Sequence, residues 1–259
     1  MLLVIDCGNT NIVFAIYDGD DQQASWRISS DCRRSTDEYF VWLIQLMTLA
    51  NINVGDITGV MMASVVPGIQ PKLVALAHRG FDLAPLCVDD SDVDLGIAIN
   101  IDRPEQAGAD RLVNAVAVAA WHDLPAIVID FGTATTLDLI GSNGAYEGGI
   151  IAPGVNLSIE ALCMAAARLP RIAVQPWQTD MPVLGTDTIS AMQSGVFWGY
   201  VGMVEGLLER LRNSYGKDLP AIVTGGLAPL FADHINGPLI VDADLTLKGL
   251  VRIYAQNNI

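Results

Sequence analysis

The chain has 259 residues, of which 51% are hydrophobic and 17% charged, a composition that excludes intrinsic disorder, collagen and coiled coil. Acidic side chains outnumber basic ones 29 to 14, for a net charge of −15, so nucleic acid and anionic membrane surfaces are excluded as partners. The longest charge-free stretches, 39–55 and 188–204, fall short of the roughly 20 apolar residues that a membrane span needs.

In chain order, the run LLVIDCGNTNIVFAIYDG at 2–19 predicts an apolar strand ending on Asp6, a turn through Gly8, Asn9, Thr10 and Asn11, and a second strand. No basic residue precedes the apolar start, so the N-terminus is read as a strand and not as a secretory leader. From Asp37, the spacing of Phe40, Leu43, Ile44 and Met47 predicts an amphipathic helix packed on a sheet. A further strand, GVMMASVVPG at 59–68, ends in small residues. The acidic run 89–94 lacks the sixth-position Gly and twelfth-position Glu of a calcium loop counted from Asp90, so it is read as a solvated loop. Residues 105–121 predict a helix with Asp110 and Arg111 near its beginning, and HDLP at 122–125 a boundary turn.

The plan then recurs. AIVIDFGTATTLDLIGSNG at 126–144 is again an apolar strand, an Asp at its end, a Gly two residues later, hydroxyl residues and a second strand, with Asp130 matching Asp6. A long helix at 187–212 carries Gly195, Gly199, Gly202 and Gly206 among Val196, Phe197, Trp198, Tyr200, Val201 and Met203, a surface expected to be buried against a neighbouring domain or subunit. AIVTGGLAP at 221–229 repeats the strand that ends in small residues. Self-similarity over nearly half the chain predicts two duplicated α/β domains, residues 1–120 and 121–259, with a cleft between them. Cys7, Cys32, Cys87 and Cys163 are far apart, which suits reduced thiols and a cytoplasmic location. His78, His122 and His234 are isolated from each other and from cysteine, so no zinc site is expected.

Two segments can carry chemistry. In the loop 6–11, Gly8 removes a Cβ that would block close approach, so backbone amides and the Thr and Asn side chains can line a small anion site. The Asp6 carboxylate can hold Mg²⁺ through waters. A plain β-hairpin explains the same residues, and it is the second copy at 130–136 that favours the binding site. No Walker-type phosphate loop and no dinucleotide fingerprint occurs, so phosphate charge must be handled by metal ions, amides and hydroxyls, as in actin-like ATPases and sugar kinases. The second segment is Gly108-Ala109-Asp110-Arg111, where Asp110 suits a general base for a substrate hydroxyl and Arg111 a carboxylate clamp. Taken by themselves, these residues are better explained by a helix-end charge with a solvated ion pair.

These residues lead to a specific family. DCGNTN at 6–11, ASVVP at 63–67, GADRLVNAVA at 108–117, DFGTATTLDLI at 130–140, YEGGIIAPG at 146–154, GTDTISAMQSGVFWGYVGMVEGL at 185–207, VTGG at 223–226 and DLTLKGL at 244–250 closely resemble, in that order, the type III pantothenate kinases. The resemblance implies ATP-dependent phosphorylation of pantothenate, the first step of coenzyme A synthesis. It implies an ATP loop at Asp6, Gly8, Asn9, Thr10 and Asn11, with Asp6 positioning Mg²⁺, and a second ATP contact at Thr133. Gly108, Ala109, Asp110 and Arg111 match the pantothenate segment, with Asp110 as proton acceptor. Asp130 matches the ligand of a monovalent cation, K⁺ or NH₄⁺, and Thr188 a substrate contact near the interface of a homodimer. Ile101 stands where the family often has an aromatic contact to pantothenate, and Ala166 stands near a common Thr. A kinase for a related hydroxy acid, and a nucleotide-binding regulator that has lost catalysis, are the competing readings.

Overall fold

The computed structural model describes residues 1–166, 168–178, 180–216 and 218–258. The chain divides into two compact units, the first formed by Met1–His122 with Asp244–Ile259 and the second by Asp123–Ala243.

The first unit opens with strands β1 (Leu2–Cys7), β2 (Asn11–Asp18) and β3 (Asp21–Ser29), followed by helix α1 (Thr36–Leu49), β4 (Gly59–Ser64), α2 (Gln70–Phe81), the short β5 (Leu86–Cys87) and α3 (Ala109–Trp121). The sheet order is β3-β2-β1-β4-β5, with β2 antiparallel and β4 parallel to the central β1. Strand β1 is apolar from Leu2 to Ile5 because both of its faces are covered there, and Asp6 follows near its end. Leu3, Ile5 and Cys7 point into a cluster with Tyr39, Leu43 and Met47 of α1 and Leu73, Leu76 and Ala77 of α2. Leu2 and Val4, on the opposite face by the period of two, join Val113 and Val116 of α3. Helix α1 begins at a capping box, in which Ser35 Oγ accepts from the Glu38 amide and the Glu38 carboxylate accepts from the Ser35 amide.

The second unit contains β6 (Ala126–Phe131), β7 (Ala134–Ile140), β8 (Tyr146–Pro153), α4 (Val155–Ala165), α5 (Thr188–Tyr215), β9 (Ala221–Thr224), the single turn α6 (Ala228–Phe231) and β10 (Leu239–Val241). Its sheet order, β8-β7-β6-β9-β10 from one edge, repeats that of the first unit strand for strand. The duplication extends to burial. In β1 and in β6 every residue is buried except the penultimate one, which is Asp6 in the first and Asp130 in the second. Each aspartate also pairs with the corresponding neighbours, Asp6 with Val13 and Ala63, Asp130 with Thr136 and Thr224. The core of this unit stacks Phe131 on Phe231 at 5.4 Å and Phe197 on Phe231 at 5.2 Å between ring centroids.

The chain ends in α7 (Leu245–Asn257), and here the structure corrects the division at 120/121. Leu247, Leu250, Val251 and Ile253 of α7 bury themselves with Leu2, Val4 and Met61 of the first sheet, so the last helix belongs to the first unit. The boundary at the HDLP segment falls between His122 and Asp123. The helix expected over 105–121 begins at Ala109, because Pro104–Gln106 forms a separate 3₁₀ turn before it. That over 187–212 extends to Tyr215. All four cysteines are free thiols, and no helix among the described residues is long and apolar enough to cross a membrane.

Candidate active site

Asp6, Gly8 to Asn11, Ile101 and Gly108 to Arg111 lie in the first unit; Asp130, Thr133 and Thr188 lie in the second. The loop 8–10 is the turn of the β1–β2 hairpin. It is closed by the Gly8 amide donating to the Asn11 carbonyl at 3.0 Å, and it is tied to the end of β3 by the Ser30 hydroxyl donating to the Gly8 carbonyl at 2.6 Å. The Ser30 amide donates in turn to the Thr10 carbonyl. Carbonyls of the turn are thereby engaged from the β3 side, while Asn9 and Thr10 are exposed at its tip. Asp6 is half-buried where the strand ends, a position from which a carboxylate can reach a hydrated cation. Beside it, burial pushes the Cys7 thiol up to about 11, so this cysteine is an inert packing group at neutral pH.

Asp110 occupies the first turn of α3, after Gly108 as its N-cap. Its Oδ1 accepts the Arg111 amide at 2.9 Å, which folds the carboxylate back over the helix N-terminus. A Cβ at position 108 would stand 2.6 Å from Asp110 Oδ1, so a larger residue there would have to displace this carboxylate.

In the second unit, Asp130 is enclosed by glycines. A Cβ added to Gly132 would make an ordinary contact with Asp130 Oδ1 at 3.5 Å, whereas Gly225, just past β9 with φ of +92°, sits so close that a Cβ would overlap that oxygen. Gly154, the N-cap of α4, likewise leaves space for the carbonyl of Thr133. Neither Gly225 nor Gly154 was given a role from sequence. Their motifs VTGG and APG were visible, but the close approaches that require glycine join segments distant in the chain.

Thr188 begins α5 and is exposed. It stands at a groove of about 760 Å³ between α4 and α5, whose lining includes Ser158, Leu162, Met192, Gly199 and Tyr200. The glycine-rich face of α5, expected to be covered, is open within this chain: Gly195, Gly199 and Gly202 are exposed, and a Cβ on any of them would meet nothing within 4 Å. The opposite face, through Phe197, Tyr200, Val201, Val204 and Leu208, packs into the core.

Asp187 caps α5, accepting from the amides of Ile189 at 2.9 Å and Ser190 at 3.1 Å. The Ser190 hydroxyl at 2.7 Å holds its carboxyl below the ordinary 3.8, with backbone amides adding to the effect. A depressed carboxyl stabilises the fold above its unfolded value and loses that contribution as pH falls through the folded one. The first turn of α5, with Thr188, is therefore expected to stay protected at neutral pH and to fray as pH falls below 3.8. Amide exchange at Ile189 and Ser190, followed against pH, measures this.

The acidic run behaves as a loop. Asp89 and Asp90, with the buried Cys87, have ligand atoms within 4.8 Å of one another, and Asp89 accepts the Gln70 amide group. His234, half-buried, packs edge-on against Phe197 and Trp198.

The sequence model of the type III pantothenate kinases matches residues 2–210. The chain belongs to the type III pantothenate kinase family. Relatives named type III pantothenate kinase include those of Paramagnetospirillum magneticum, 54% identical over 100% of this chain and 98% of that protein, and of Rhodospirillum rubrum, 52% identical over 99% of each. Solved structures share the fold at much lower identity. A Campylobacter jejuni protein assigned to the Baf family of transcriptional activators superposes with a TM-score of 0.60 at 17% identity, covering 98% of each chain. One assigned as a 2-dehydro-3-deoxygalactonokinase of Sinorhizobium meliloti also gives 0.60, at 12% identity over 99% of this chain and 96% of that one. The architecture of this pantothenate kinase family member is accordingly the two-domain α/β fold of actin-like ATPases and sugar kinases.

Proposed function

We propose that this family member transfers the γ-phosphoryl group of ATP to the primary hydroxyl of pantothenate, giving 4'-phosphopantothenate at the entry to coenzyme A synthesis. The observation that carries the proposal is the full-length identity of about half to proteins named for this reaction. The placement of Asp110 at an open helix start supports it.

The turn Gly8 to Asn11 and Thr133 bind the nucleotide phosphates through amides and hydroxyls. Asp110 orients the pantothenate hydroxyl and takes its proton as the oxygen bonds to the γ-phosphorus and the bond to the ADP oxygen breaks. A loose phosphoryl-transfer transition state asks little of a strong base, so orientation is the larger part of that role. Arg111 and Thr188 hold the polar ends of pantothenate, and Ile101 offers it an apolar surface. Mg²⁺ at Asp6 and a monovalent cation at Asp130, when bound, offset phosphate charge that the net charge of −15 would otherwise repel. Release of ADP dependent on pantothenate, and not on related hydroxy acids, tests the reaction. Growth of a strain without its own pantothenate kinase tests it in the cell.

The open glycine face of α5 supports a homodimer through this helix. Gly199→Trp places a large side chain on that face, and sedimentation is expected to show a dimer for the parent chain and a monomer for the variant.

A further inference from the structure

Helix α3 is enclosed on nearly every side, with Leu112 to Val118 all buried. In that run Asn114 is polar, and it is 1% exposed. Its Oδ1 accepts a hydrogen bond from Thr246 Oγ of α7 at 2.8 Å. Three residues further along α7, Gly249 lies directly against α3: a Cβ there would overlap the Val113 carbonyl oxygen and come within 2.7 Å of Val113 Cγ1. The two helices are therefore in backbone contact beside a buried polar pair, inside an apolar cluster formed by Val113, Val116, Leu247 and Leu250.

Such an arrangement specifies register. An apolar interface tolerates sliding, but a slip of α3 by one turn, about 5.4 Å, would part Asn114 from Thr246 and leave buried polar atoms without that bond. A shift in the other direction would drive a side chain into the space at Gly249. Asp110 lies four residues before Asn114, one turn nearer the helix start, so whatever fixes Asn114 fixes Asp110. Both α7 residues lie in DLTLKGL, a motif to which no part of the reaction has been attached.

We infer that Thr246 and Gly249 are positioning residues for phosphoryl transfer, holding α3 through Asn114 and Val113 so that Asp110 and Arg111 meet the acceptor substrate. The inference rests on the reading of Asp110 as the group that orients the pantothenate hydroxyl. A misplacement of about 1 Å in a reacting group can cost about a hundredfold in rate, so a loosened register is expected to show in catalysis.

The test uses the full chain with pantothenate and ATP. Thr246→Val removes the donor at constant shape, and Gly249→Ala wedges the helices apart. Each is expected to lower kcat/KM for pantothenate by about 10- to 100-fold while KM for ATP stays within about twofold, and Thr246→Ser is expected to recover most of the loss. Should Thr246→Val fail to fold, Gly249→Ala and the comparison of Thr246→Ser with the parent carry the measurement. Thermal midpoints that fall with kcat/KM for pantothenate unchanged would overturn the inference and leave the pair a purely structural lock. Asp110→Asn separates the two ideas. If that variant is inactive while the Thr246 and Gly249 variants turn over normally, only the positioning role is lost. If Asp110→Asn is itself active, the reading of Asp110 fails.

Discussion

Asp110→Asn is expected to lower kcat by about 10²- to 10⁴-fold, the range spanned by a positioned acid or base, with the affinity for ATP preserved. The substitution keeps the shape of the side chain and a carbonyl oxygen that can still accept the Arg111 amide, so the helix start should survive. What disappears is the negative charge to which the proposed mechanism assigns orientation of the substrate hydroxyl and acceptance of its proton. ATP affinity should persist because the Gly8 to Asn11 turn is held by its own bonds to Asn11 and Ser30, none of which involves α3. Single-turnover measurement with saturating ATP, alongside nucleotide binding by calorimetry, separates the two effects. A variant with near-normal turnover removes Asp110 from the mechanism.

Gly225→Ala is expected to destabilise the second unit by more than about 1–3 kcal/mol, the ordinary cost of forcing a non-glycine residue into a sparsely populated backbone region. Gly225 has φ of +92°, and the added Cβ would also meet the Phe131 backbone at 2.7 Å and press on the Asp130 carboxylate. The Phe131 contact is to main-chain atoms of a strand paired on both sides, which cannot swing aside as the end of a side chain can. With Asp130 as the proposed ligand of a monovalent cation, the surviving folded protein is expected to need a higher concentration of that cation for activity, because the added Cβ displaces the carboxylate. Chemical denaturation and a titration of activity with K⁺ measure the two consequences separately. Gly202→Ala is the natural comparison, since its Cβ would enter open space.

Much of the candidate site was legible because its signals are local. An apolar run closed by Asp, followed by Gly and small polar residues, specifies a strand, a carboxylate at its end and a tight turn, all within a dozen residues. The recurrence of that plan at Asp6 and Asp130 was readable for the same reason, and both aspartates occupy the same place in their strands. The apolar face of α1 was read from Phe40, Leu43, Ile44 and Met47, yet Tyr39 is the residue buried beside Leu43 and Met47, because its hydroxyl finds the Asp31 carbonyl at 3.1 Å. A polar atom that pairs at the rim lets an aromatic ring enter the core, and helical spacing does not report that.

The amino-acid sequence by itself thus determined the α/β class, the duplication, the strand-end aspartates and the family, since each is written in short-range patterning or in ordered motifs. Only the tertiary structure decided that α7 joins the first unit, that Asp130 requires glycine at 225, and that Asn114 meets Thr246. The physical reason is common to all three. These are contacts between segments separated by tens to hundreds of residues, and the hydrophobic burial that brings such segments together is non-directional, so local patterning does not name the partner of a hydrogen bond or of a close backbone approach. A helical pattern shows that α7 has an apolar face; the shape of α3 and of the first sheet selects where that face is buried.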